Sequence, residues 1–195
     1  MPRVTGGSVA AHRQATRDAI FAAFSSLVYE RGYDAVSLAD VAAAAGMSRT
    51  TMYNYFADKD ALVVAFTEAE VTSFTEGLAA DLAGAGTPAD RLRVYIAAQL
   101  RYISRNHLPP GRSLQVLLSP ETYQRLLHHV HSMEDTLRGI LADGVGDGSF
   151  DADVGTALPL VSACINRAGS LGHDDIERET DATTTFVLRA LGAVR

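Results

Sequence analysis

From Ser37 to Asp58 the chain spells two short helices and a turn, and this constrains everything around them. Ser37 can cap a helix from Leu38 to Ala45, with Leu38, Val41 and Ala42 facing inward. Gly46 allows a tight turn. Ser48 can cap a second helix, Arg49 to Phe56, and Asp58 a long third one from Lys59 to about Ala83. A helix precedes them, from about Ala11 to Arg31. Its Ala19, Ile20, Ala23, Phe24, Leu27 and Val28 form an apolar stripe at helical spacing. Gly32 is placed to end it in the left-handed conformation.

The rest of the chain continues in the same manner. Gly and Pro clusters separate segments rich in Ala, Leu, Val and charged residues, with no alternating strand pattern. Helices fit at about 89–106, 112–118, 120–143, 152–171 and 176–194. Pro120 after Ser119 is a good start signal, because proline is tolerated at the first helical position. Asp151 is placed to cap the helix that follows it. The fold class expected is all-α, with about nine helices.

Two short helices joined by a tight turn and packed on a preceding helix make a helix-turn-helix unit. Such a unit needs a recognition helix that is apolar behind and polar in front. Met52 and Phe56, spaced i and i+4, supply the back. Arg49, Thr50, Thr51, Asn54 and Tyr55 offer hydrogen-bonding groups in front. Lys59, the only lysine, sits near the start of the next helix, where it can clamp a phosphate.

Charge is compatible with that use. The chain carries a formal −6, but residues 1–56 hold five arginines against four acids. An acidic bulk argues against general adhesion to nucleic acid and leaves room for a small docking face. Cys164 is the only cysteine, so no intrachain disulfide can form, which suits a reducing compartment. No apolar run is long enough for a membrane span, and the N-terminal stretch lacks the apolar core of a signal peptide. A cytoplasmic protein without a membrane partner is expected.

The line SLADVAAAAGMSRTTMYNYFADKDAL resembles the DNA-binding domain of TetR-family regulators. The matching positions are Ser37, Val41-Ala42, Ala45-Gly46-Met47-Ser48, Met52-Tyr53-Asn54-Tyr55-Phe56, Lys59 and Leu62. Arg17 and Gly32-Tyr33 match as well, so the likeness covers about residues 13–62. Met47 and Met52 stand where Val and Leu are usual. The resemblance implies a homodimeric repressor that binds a palindromic DNA operator. A helical body would bind a small-molecule effector. It assigns phosphate contacts to Ser37, Thr51, Tyr53, Tyr55 and Lys59, and base contacts to Arg49, Thr50 and Asn54, with Ser48 in the same DNA-facing set. The division expected is a DNA-binding head, residues 1–56, and an antiparallel ligand-binding and dimerisation body, residues 57–195. A helical adaptor with no small ligand is the alternative.

Polar residues set into apolar stripes of the body point to the pocket. Glu70 lies between Phe66 and Phe74, Gln99 among Tyr95, Ile96, Tyr102 and Ile103, and Arg167 between Leu160, Cys164 and Leu171. An apolar cavity lined by Phe74, Tyr95, Tyr102, Leu117, Tyr123 and Leu127, with two or three of those polar anchors, is expected. Alternatively, Glu70 and Arg167 face water or pair with each other. The last two helices carry stripes that include Val161, Cys164 and Ala168, and Thr183, Val187 and Leu191. By resemblance these form a four-helix bundle with a second subunit; the alternative is packing within one chain.

Other constellations lead nowhere sharp. His128, His131 and Asp135 share a helix face but read as a solvated polar face, so no metal and no cofactor is expected. Cys164 reads as a small core residue. No Ser-x-x-Lys, Gly-x-Ser-x-Gly or His-Glu-x-x-His occurs, and the chain is not read as an enzyme.

Overall fold

The computed structural model describes residues 6–105, 120–168 and 176–193. These form eight α-helices: α1 (Gly6–Arg31), α2 (Leu38–Ala44), α3 (Arg49–Tyr55), α4 (Lys59–Ala83), α5 (Pro88–Arg105), α6 (Pro120–Gly146), α7 (Val154–Ala168) and α8 (Ile176–Ala190). There is no strand among the described residues, and the fold is all-α as expected. The helix expected at 112–118 lies outside them.

Local chemistry sets most of the helix ends. Gly32 and Gly46 adopt φ of +76° and +68°, the left-handed region that favours glycine. Ser37 caps α2 in a reciprocal box. Its hydroxyl accepts from the Asp40 amide at 3.2 Å, and the Asp40 carboxylate accepts from the Ser37 amide at 2.9 Å. The Ser48 hydroxyl accepts from the Thr51 amide at 3.1 Å, and the Asp58 carboxylate from the Ala61 amide at 2.7 Å. One expectation is corrected. The cap of α7 is Asp153, which accepts from the Thr156 amide at 2.8 Å, whereas the Asp151 amide is tied to the Leu191 carbonyl at 2.8 Å. Both aspartates precede the helix, and only the path of the incoming chain selects between them.

The described residues fall into two compact units. One comprises residues 6–67 with 120–124, the other 68–105, 125–168 and 176–193. In the first, Ile20, Phe24, Val41, Met52, Leu62 and Val63 are fully buried, each side chain contributing about 1.5–3 kcal/mol. Phe66 meets both Phe21 and Phe24 edge-on, with centroids 5.6 and 5.3 Å away.

In the second unit α5 packs against α7 and α8, which also pack on each other. Leu92, Ile96 and Leu100 of α5 share a core with Leu137, Ile140 and Leu141 of α6, with Leu158, Val161 and Ile165 of α7, and with Val187 and Leu188 of α8. Arg91 and Asp143 form an ion pair at 2.6 Å.

Candidate functional site

Seven residues make α3 two turns of helix, about 10 Å long. Its back is anchored: Met52 has no exposure and Phe56 is buried. Arg17 lies over the Phe56 ring at 5.9 Å and over Phe21 at 5.4 Å, holding α1 against this corner. The front is open. Arg49, Thr50, Thr51, Tyr53 and Asn54 are all exposed, and Tyr55 is half-buried. Tyr53 is 56% exposed, so its ring is largely free of the scaffold.

The hydroxyls of this face are partly engaged. Ser48 and Thr51 share a hydrogen bond at 2.9 Å. The Ser37 hydroxyl donates to the Asp40 carboxylate, and these bonds from Ser37 hold that carboxyl below its usual range. Ser37 is exposed, but its side chain belongs first to the α2 cap.

Lys59 is tied more firmly than its sequence context suggests. Its Nζ donates to the Tyr33 carbonyl at 2.5 Å and stands 3.8 Å from the centroid of the Tyr33 ring. Burial lowers the ammonium's pKa, while Asp34 and Asp60 work in the opposite direction. Tyr33 is 7% exposed, and burial, helped by Asp60 and Asp34, pushes its phenol up to about 12.

In the second unit Glu70, Phe74 and Tyr102 lie close together. They line a cleft of about 340 Å³ between α4 and α5, with Ser73, Asp81 and Arg101. The Phe74 and Tyr102 rings are 4.8 Å apart, and burial, with Glu70 nearby, pushes the Tyr102 phenol up to about 12. This cleft carries more charge than the apolar cavity expected. Gln99 and Tyr95 are both buried and bonded to each other at 3.1 Å. Gln99 also donates to the Met133 sulfur at 3.4 Å, and Tyr95 to the Met133 carbonyl at 3.1 Å. Leu117 and the side chains of Tyr123 and Leu127 lie outside the described residues.

Arg167 does not join that group. It pairs with Glu179 at 2.5 Å, with over half of its side chain exposed, so neither a pairing with Glu70 nor a shared pocket is found. It borders a second groove, of about 650 Å³, formed by α7, α8 and residues 151–153.

The candidate partner-facing stripes lie largely within the chain's own packing. Val161, Val187 and Leu191 are 2–4% exposed, because they belong to the chain's own core and floor the groove, and Thr183 is 4% exposed. The apolar residues that stand out on the same helices are Leu160 and Phe186, at 61% and 63% exposure. Cys164 is half-buried and lines the groove, rather than sitting wholly in the core. The side chain of Ala168 lies outside the described residues. Sequence reasoning set Leu160 beside Arg167 at the expected pocket rather than at a partner face, and it missed Phe186.

Among the described residues no cluster of His, Cys, Asp or Glu could hold a metal ion; the side chains of His128 and His131 lie outside them and Asp135 is exposed. Nor is any described helix long and apolar enough to cross a membrane.

The model of "Bacterial regulatory proteins, tetR family" matches residues 20–66, which are the end of α1, α2, α3 and the start of α4. An uncharacterized HTH-type transcriptional regulator of Mycobacterium tuberculosis is 33% identical over 46% of this chain, a match that spans 44% of that protein's length. The DNA-binding transcriptional repressor TetR of Mycobacteroides abscessus is 31% identical over 85% of this chain and 80% of its own. The FadR transcriptional regulator of Bacillus subtilis, solved with stearoyl-CoA, shares the fold, with a TM-score of 0.72 and 21% identity over 89% of this chain and 96% of that one. With the repressor's likeness extending well beyond the head, and α3 apolar behind and polar in front, the chain belongs to the TetR family and is a helix-turn-helix DNA-binding transcriptional regulator.

Proposed function

We propose that the chain is a cytoplasmic repressor that binds a palindromic operator as a homodimer and is released by a small, mainly apolar effector. The observation that carries it is the division of α3, with Met52 and Phe56 buried behind and Arg49, Thr50, Thr51, Tyr53 and Asn54 open in front. In this reading residues 1–56 are the head, and Arg49, Thr50 and Asn54 meet base edges. Ser37, Ser48, Thr51, Tyr53, Tyr55 and Lys59 meet or flank phosphates. Residues 57–195 are the effector-binding and dimerising body. The groove beside Leu160 and Phe186 supports pairing through α7 and α8, because an apolar surface of that kind is stabilised by cover.

Selection from random duplexes tests the DNA role. The expected product is an inverted repeat with half-sites about 34 Å apart, or at a longer in-phase spacing. Recovery of no common sequence, with binding no stronger than to random DNA, would leave a helical adaptor as the better reading.

For the effector, the α4–α5 cleft and the neighbouring Gln99 side of α5 are the sites to test. The stearoyl-CoA complex of the B. subtilis relative in fold supports a ligand with an apolar body. Binding would favour a head spacing that misses the grooves, and a tenfold preference between states takes only about 1.4 kcal/mol. Gln99→Leu removes the donor to Tyr95 and Met133. It is expected to shift the midpoint of effector-driven release by about tenfold, with operator affinity of the free protein unchanged. Release assays over one compound series check this, and identical dose–response curves for both proteins would remove Gln99 from the site.

A further inference from the structure

Lys59 is the single lysine of the chain, and it is held before any DNA arrives. Its ammonium meets Tyr33 twice, through the main-chain carbonyl at 2.5 Å and through the ring face at 3.8 Å. The two residues are 26 positions apart, so the pair ties the turn after α1 to the first residue of α4. An ammonium has three donors, and the carbonyl takes one. Among the described residues Nζ has no second hydrogen-bond acceptor. The long, mobile stem that normally costs a lysine entropy on binding is therefore already ordered.

We propose that Tyr33 is a positioning residue for DNA binding: its carbonyl and ring hold the Lys59 ammonium in place, leaving an N–H for a phosphate oxygen of the duplex. This rests on the reading that α3 docks on DNA. Tyr33 itself touches no DNA, since it is almost wholly buried. Its ring attracts the cation over one face, and the Asp34 and Asp60 carboxylates nearby help keep the lysine charged. Fixing the cation during folding removes part of the ordering cost from the binding step.

Because there is one lysine, labelling the full-length protein with 15N- and 13C-lysine yields a single side-chain spin system. In the free protein its ε-methylene protons are expected upfield of their ordinary position, shifted by the Tyr33 ring, and Tyr33→Leu should abolish that shift. An unshifted signal in the free protein would overturn the proposal without any variant being made. A double-mutant cycle on the duplex recovered by selection then tests the consequence. Tyr33→Leu should weaken binding about fivefold, as expected for loss of a cation–ring attraction. Tyr33→Phe, which keeps ring and carbonyl, should stay within about twofold of the parent. In the Lys59→Met background, Tyr33→Leu should cost almost nothing further. If it costs the same fivefold there, Tyr33 acts only through the scaffold and the proposal falls. Failure of the DNA reading looks different, because the unaltered chain would then retain no duplex at all.

Discussion

Replacing Met52 by aspartate is expected to unfold the head and abolish operator binding altogether. Met52 has no solvent exposure and lies on the back of α3, one turn from the buried Phe56. A carboxylate there would lose its water without gaining a partner, at a cost of several kcal/mol, on the order of the whole stability of a small domain. The informative control sits on the same helix. Asn54 is exposed on the front, so Asn54→Ala should leave stability within about 0.5 kcal/mol of the parent. It should instead flatten the ranking of operator variants, since one good side-chain contact to a base discriminates by about 1–3 kcal/mol. Urea denaturation followed by circular dichroism, beside binding to a panel of single-base operator variants, separates the two effects. Retained binding by Met52→Asp, or an unchanged ranking with Asn54→Ala, would contradict the assignment of back and front.

The double change Leu160→Glu and Phe186→Glu should produce monomers that bind the operator 10²–10⁴-fold more weakly, the range lost when two linked heads act singly, on the order of a full avidity effect. Both side chains are mostly exposed, so within one chain the changes should be nearly neutral, within about 0.5 kcal/mol each. That distinguishes them from Val187→Asp or Leu191→Asp, which would strike residues in the core of the second unit and confound dissociation with unfolding. Sedimentation analysis reads the mass, and thermal denaturation checks that the monomer is folded. A dimer that survives both changes would move the interface away from α7 and α8.

Four of the best-determined features depend on interactions within one or two turns, and each was legible in the residues. Ser37 caps α2, Ser48 caps α3, Gly32 and Gly46 turn the chain, and Met52 with Phe56 marks the inner face of α3. A side chain three or four positions away leaves its mark in the spacing itself. The front of α3 was legible for the same reason, because a short helix with one buried stripe leaves no choice about the other side.

The body is different, and α7 shows why. Periodicity alone sets Val161 on a stripe suited to a partner and Leu160 beside Arg167 at the pocket. Packing against α5 places Val161 inside and leaves Leu160 out, and on α8 it does the same with Val187 and Phe186. Partner choice over a distance was equally hidden. Nothing near Arg167 in sequence names Glu179 over Glu70, and nothing near Lys59 names Tyr33. The sequence by itself determined the all-helical class, the ends of the head's helices and the two faces of α3, because those follow from contacts within a few residues. Tertiary structure alone decided which apolar face of α7 and α8 is inside, which acid holds Arg167 and what holds Lys59, because those depend on where distant segments meet.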